Sequence, residues 1–175
     1  MRTLAFLALP GVLLAGCGGT RTVARTTTVV LSAAPSPTGD QRIYGTIASL
    51  RRDGGRYLLR LDPAWFTSGI TANVVQAADQ GMTCAPSACP PVPNDNLVVD
   101  EGHRLLTYVL PLGARGTVLA GGGANGFRPT TITAAQLARL VAGTSTLKLF
   151  EPLATGVWLL VHVDTVRTFA QQYRP

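Results

Sequence analysis

The two histidines are the only side chains in the sequence whose ordinary pKa lies near neutrality, and each has carboxylates close by. His103 follows Asp100 and Glu101, and His162 stands two residues before Asp164. Either pair has the makings of a general base held by a carboxylate. Hydrolysis also needs a nucleophile or a constellation that fixes substrate, and the chain contains neither a G-x-S-x-G elbow nor H-E-x-x-H. A divergent hydrolase built on one of these histidines stays an alternative. The same stretch is rich in oxygen ligands, with Asp95, Asp100, Glu101 and His103 as a candidate ligand loop over 94–103. A calcium loop uses such groups with a glycine to bend it, here Gly102. Turn chemistry accounts for Asn and Asp in this pattern equally well.

Four arginines, Arg51, Arg52, Arg56 and Arg60, crowd one short region. Such a patch could face an anionic polymer or lipid phosphate, or simply blunt a strand edge against aggregation. It lacks the interleaved aromatics of a single-strand nucleic-acid platform beyond Tyr57, so nucleic acid is not an expected partner. Gly121 to Gly126 (GGGANG) matches G-x-G-x-x-G by letter. No helix opens directly behind it, because Phe127-Arg128-Pro129-Thr130 intervenes, so it reads as a loop. No cofactor is expected.

The three cysteines have different fates. Residues 1–17 read MRTLAFLALPGVLLAGC, in which Arg2 precedes an apolar run too short to span a bilayer. The ending Leu14-Ala15-Gly16-Cys17 is similar to the lipobox of bacterial lipoproteins. That resemblance implies cleavage after residue 16, a diacylglycerol on the Cys17 thiol and a palmitate-type acyl anchor, which together with a second chain holds firmly. An ordinary secretory signal is the competing reading. Cys84 and Cys89 then remain as an even pair, and in an exported chain they are expected to form a disulfide across Ala-Pro-Ser-Ala. Zinc would need further soft ligands at workable spacing, so no metal site is expected there.

The chain has 175 residues, 46% of them apolar and 14% charged, with 19 Gly and 12 Pro. This rules out a disordered chain and a helical bundle alike. Its formal charge is +6, and removal of the leader with Arg2 leaves +5. Residues 17–40, after the leader 1–16, are Thr-, Ser-, Gly- and Pro-rich and read as a flexible tether with a reach of roughly 25–30 Å. A single globular domain is expected over 41–175.

Within it, RIYGTIASL (42–50) and RYLLRL (56–61) flank Asp53-Gly54-Gly55 and read as a hairpin, with Gly45 marking a bulge or close approach. Tyr57, Leu59 and Leu61 share one face. A short helix is expected from an N-cap at Thr71 to Gly81, with Trp65 and Phe66 buried beneath it. RLLTYVL (104–110) and RGTVLA (115–120) follow, and Pro111-Leu112-Gly113-Ala114 suits a second hairpin between them. Thr133 with Gln136 forms a capping-box pattern for a helix ending at Gly143. VWLLVHV (157–163) is a last strand with Val157, Leu159, Val161 and Val163 on its buried face, and Val166 and Phe169 extend the apolar pattern. The order β-β-α-β-β-α-β, with helices over the open ends, gives an α+β, β-rich fold. It is either a small curved sheet or an OB-like five-stranded barrel with two short helices.

The segments YGTIASL, DPAWFTSGITAN, VPNDNLVVDEGHRLLTYVLP, TITAAQLARLVAG, LFEPLATGVWLLVHVDTV and QQYRP resemble a family of uncharacterised exported proteins, many of them lipoproteins, from high-GC Gram-positive bacteria. The resemblance covers about 42–175 and carries no assigned activity. It implies display on the outer face of the cell membrane, with the membrane as a partner through the anchor. The expected role is a non-catalytic binding or structural module of the cell envelope, facing an anionic polymer or a protein. A small-ligand or calcium-binding protein using the 94–103 loop is the alternative.

Overall fold

The computed structural model describes residues 39–100, 102, 104–122 and 126–174. Cys17, the leader and the tether up to 38 lie outside these residues, as do Glu101 and His103. Among the described residues no helix is long and apolar enough to cross a membrane.

Alternating apolar residues lay down the strands. Strand β1 (Asp40–Asp53) turns through Gly54-Gly55 into β2 (Arg56–Pro63), as Asp-Gly-Gly requires. Then come β3 (Trp65–Ser68), helix α1 (Gly69–Asp79), β4 (Asn96–Val99), β5 (Leu106–Pro111), β6 (Arg115–Gly121) and β7 (Phe127–Thr133). Helix α2 (Ala134–Val141), β8 (Val157–His162) and β9 (Thr165–Gln171) complete the order. Seven strands form one curved sheet in the order β5-β2-β1-β8-β9-β6-β7, and β5 also meets β9 in parallel at Val109 and Thr165. That contact, with Val109 N–H donating to the Asp164 carbonyl at 2.7 Å, closes β1, β2, β5, β9 and β8 into a ring. The result is an OB-like five-stranded barrel whose sheet continues beyond β9 into β6 and β7.

One long strand serves both halves of this barrel. Residues 40–45 of β1 pair with β8, and residues 45–53 pair with β2. Gly45 belongs to both registers, and a Cβ there would stand 2.2 Å from the Asp62 carbonyl oxygen. Close approach of two backbones, as the sequence suggested, is why this residue is glycine. Beyond it a bulge at Ala48 bends the strand around the barrel.

Tyr57, Leu59 and Leu61 of β2 face Val157, Leu159 and Val161 of β8 within one core, joined by Leu110, Val118, Ile132, Val166 and Phe169. Full burial of each aliphatic side chain stabilises by roughly 1.5–3 kcal/mol. Helix α2 closes the core with Ala134 and Leu137. Its capping box is complete: Gln136 Oε1 accepts from Thr133 N–H at 2.8 Å, and Thr133 Oγ1 accepts from Gln136 N–H at 3.3 Å. Such a cap contributes about 1 kcal/mol.

Four expectations from the sequence are corrected. Pro111 to Ala114 makes a corner and not a hairpin; β5 and β6 do not pair, and both run parallel to β9. Helix α1 starts after Ser68, three residues before the expected cap at Thr71, and its buried residues are the small Ala72 and Ala77. It packs on β3 and β4, outside the barrel core. Val163 is 61% exposed and sits at φ +54° in the tight turn to β9. The buried face of β8 therefore ends at Val161. The element order also gains β3, β4, β7 and β9.

Candidate functional site

The outer wall of the barrel carries an aromatic groove. Because β1 alternates, Ile43 and Ile47 pack towards the core while Arg42 and Tyr44 turn outward. On β8 the same parity sends Val157, Leu159 and Val161 inward and Trp158 outward. The antiparallel register sets Tyr44 directly opposite Trp158, with ring centroids 5.1 Å apart. Arg42 is the diagonal neighbour, and its guanidinium lies 4.7 Å from the centre of the Trp158 ring.

The chain leaving β2 supplies the roof. Ala64 N–H donates to the Tyr44 carbonyl at 3.0 Å, which holds the segment against β1 as it enters β3. Phe66 then packs on Tyr44 and Trp158 at 5.1 and 5.7 Å, so three rings form a mutually tilted cluster. Its neighbour Trp65 stands outside the three-ring cluster at the rim of the groove and is 61% exposed, which corrects the expectation that both aromatics lie under α1. Arg104 and Leu106 complete a cleft of about 880 Å³, the larger of the two described.

The polar ends of the rings are already engaged. Trp158 Nε1–H donates to Gln172 Oε1 at 2.8 Å, and the Tyr44 hydroxyl donates to the Thr155 carbonyl. Tyr44 is only 4% exposed, and burial raises its pKa above the ordinary tyrosine value against the opposing pull of Arg174. Gly156 makes room for it: at φ +112° a Cβ would fall 2.1 Å from the phenol oxygen. The rings thus offer faces and edges, and among the described residues the charged groups of the lining are Arg42 and Arg104. This arrangement can stack a ring and neutralise an anion.

The residues singled out in the sequence lie elsewhere. Asp95 is exposed at φ +56° in a 3-10 turn over Pro93–Asp95. Asp100 folds one carboxylate oxygen back to accept from Gly102 N–H at 2.9 Å, a local turn bond. Among the described residues no three His, Cys, Asp or Glu gather as a metal site. His162 pairs across strands with Asp40 at 2.9 Å and not with Asp164. Arg51, Arg52, Arg56 and Arg60 are exposed on the β1–β2 hairpin, where Arg56 meets Asp53 at 3.3 Å and Arg52 donates to the Gly54 carbonyl. Cys84 and Cys89 form the expected disulfide, with Cα atoms 5.3 Å apart, in the segment between α1 and β4.

The groove escaped the sequence reading because Arg42, Phe66, Arg104 and Trp158 come from separate elements. One signal was present: Tyr44 and Trp158 occupy the parity of their strands that faces away from the core. Compared with protein-family models, with curated proteins and with solved structures, the chain matches none.

Proposed function

We propose that this protein is an exported, lipid-anchored module of the cell envelope that binds a ligand in the aromatic groove without transforming it. The leader and Cys17 support the address, and the family resemblance over 42–175 agrees with it. The groove supports the activity: it is concave, walled by Tyr44, Phe66 and Trp158, and flanked by two arginines. Ligand sites commonly combine apolar walls with a few placed polar groups in this way. The barrel supplies a rigid floor, since β1 and β8 are paired along Asp40 to Gly45.

Binding is directly testable because the chain has two tryptophans, and both line the groove. Intrinsic tryptophan fluorescence therefore reports on this site alone. Titration with a panel of neutral and charged envelope polymers is expected to give a saturable change with at least one of them. Trp65→Ala, at an exposed position, weakens that binding while the fold persists. Saturable binding of a polymer by calorimetry with silent tryptophans would place the site elsewhere. For the address, Cys17→Ser is expected to move the protein from the membrane fraction to the medium or wall fraction.

A further inference from the structure

We infer that the ligand of the groove is an acidic oligosaccharide, a chain of sugar rings carrying carboxylates. The inference rests on the groove being the binding site and adds the chemistry of its occupant.

Arg42 and Arg104 line the groove, and among the described residues no Asp or Glu does. Neither guanidinium has a hydrogen bond or ion pair to a described residue, whereas Arg56 on the neighbouring hairpin is paired to Asp53. The Arg42 guanidinium sits over the Trp158 ring at 4.7 Å, a cation–π contact, so a ligand anion meets a cation already in place. A guanidinium fork matches a carboxylate with two parallel N–H donors.

The aromatic wall suits a puckered ring better than a flat one. Tyr44, Phe66 and Trp158 are tilted against one another by 56–66°, at centroid distances of 5.1–5.7 Å. No two of them stand parallel with a gap for a flat nucleobase. A puckered sugar ring presents a face of C–H groups that rests on a single aromatic face or edge. The exposed Trp65 indole offers such a face at the rim. Since the Trp158 N–H and Tyr44 hydroxyl are bound within the protein, the wall gives a ligand apolar contact and the arginines give it direction. OB-type barrels as a class accommodate oligosaccharides as well as oligonucleotides. Two arginines are too few to track a phosphate backbone.

The test is a fluorescence titration of the full chain with tetragalacturonate, with cellotetraose as the neutral match and with a thymidine octanucleotide. Tetragalacturonate is expected to bind at least about tenfold tighter than cellotetraose, and to weaken as salt is raised. Arg104→Gln, which removes no packing seen in the groove, and Arg42→Gln are each expected to cost about tenfold for tetragalacturonate. Neither changes cellotetraose binding by more than about twofold. Trp65→Ala weakens both sugars alike. Equal affinity for the two sugars, or tighter binding of the octanucleotide, overturns the acidic-sugar assignment while leaving the groove as the site. Absence of a saturable tryptophan change with all three probes also overturns it. If other envelope polymers are then silent at both tryptophans too, the groove reading falls with it.

Discussion

Gln171 ties the barrel to the loop that supports the groove, and its replacement by Leu is the sharpest test of that connection. The side chain is 7% exposed. Its Oε1 accepts from the buried Leu119 N–H at 2.9 Å, and its Nε2 donates to the carbonyls of Glu151 and Pro152 at 2.9 and 3.4 Å. It thereby joins β6 and β9 to the segment whose Thr155 carbonyl receives the Tyr44 hydroxyl. Leucine keeps the volume and removes all three bonds. The Glu151 and Pro152 carbonyls lie at partly exposed residues and can turn to water, but the Leu119 N–H cannot. An unmet buried donor costs about 1–3 kcal/mol, so a loss of about 2 kcal/mol is expected. For a fold of this size that lowers the melting temperature by roughly 6–10 °C.

Gln171→Glu gives the matching control. One carboxylate oxygen still accepts from Leu119, while the other faces two carbonyl oxygens. Burial and those acceptors raise its carboxyl pKa in the folded state above the unfolded value of about 4.3. Folding then takes up a proton. The variant is least stable at neutral pH and regains stability as pH falls towards the unfolded pKa. Thermal melts by circular dichroism from pH 7 to pH 4 measure both. A Gln171→Leu melt within about 2 °C of the parent would refute the assignment of Gln171 as a structural tie.

Other perturbations have equally definite outcomes. Gly156→Ala places a Cβ 2.1 Å from the Tyr44 oxygen, at a φ of +112° that alanine avoids. A loss of about 2–4 kcal/mol is expected in urea unfolding, with a changed tryptophan spectrum as Tyr44 is pushed towards Trp158. Val163→Gly relieves a β-branched residue at φ +54° whose side chain is exposed, and is expected to raise stability by about 1 kcal/mol. Burial raises the pKa of Tyr44, and burial followed by the nearby Asp164 charge raises that of Tyr108. The unfolded chain therefore gives up these protons first. Stability is expected to fall as pH rises past about 10, with part of the tyrosinate absorbance appearing only as the fold opens.

Much of the barrel was readable because its strands alternate cleanly. Tyr57, Leu59 and Leu61 on β2 and Val157, Leu159 and Val161 on β8 are buried as their period of two demands. The Gly54-Gly55 turn and the Thr133–Gln136 cap are local devices and came out as expected. Strand β9 was missed because its alternation breaks: Leu160 pairs with Thr168 and Val161 with Val166, which leaves Arg167 as an extra residue. That bulge puts Val166 and Phe169 on the same side at a spacing of three. Strand β7 was hidden by Pro129 and its threonines, which suit an edge strand with one partner. Strands β3 and β4 are four residues each and find one another across the α1 and disulfide segment, a pairing that no local pattern announces. The groove depends on that distant pairing, because β3 carries Trp65 and Phe66 to the barrel wall.

The two indole N–H signals in a nitrogen–proton correlation spectrum of the full chain offer the most direct view of the groove. The account predicts that tetragalacturonate shifts both signals to saturation, along with amides of 41–44 and 64–66, while those of the arginine-rich hairpin 51–60 stay in place. Stationary indoles together with saturable shifts confined to that hairpin would contradict it.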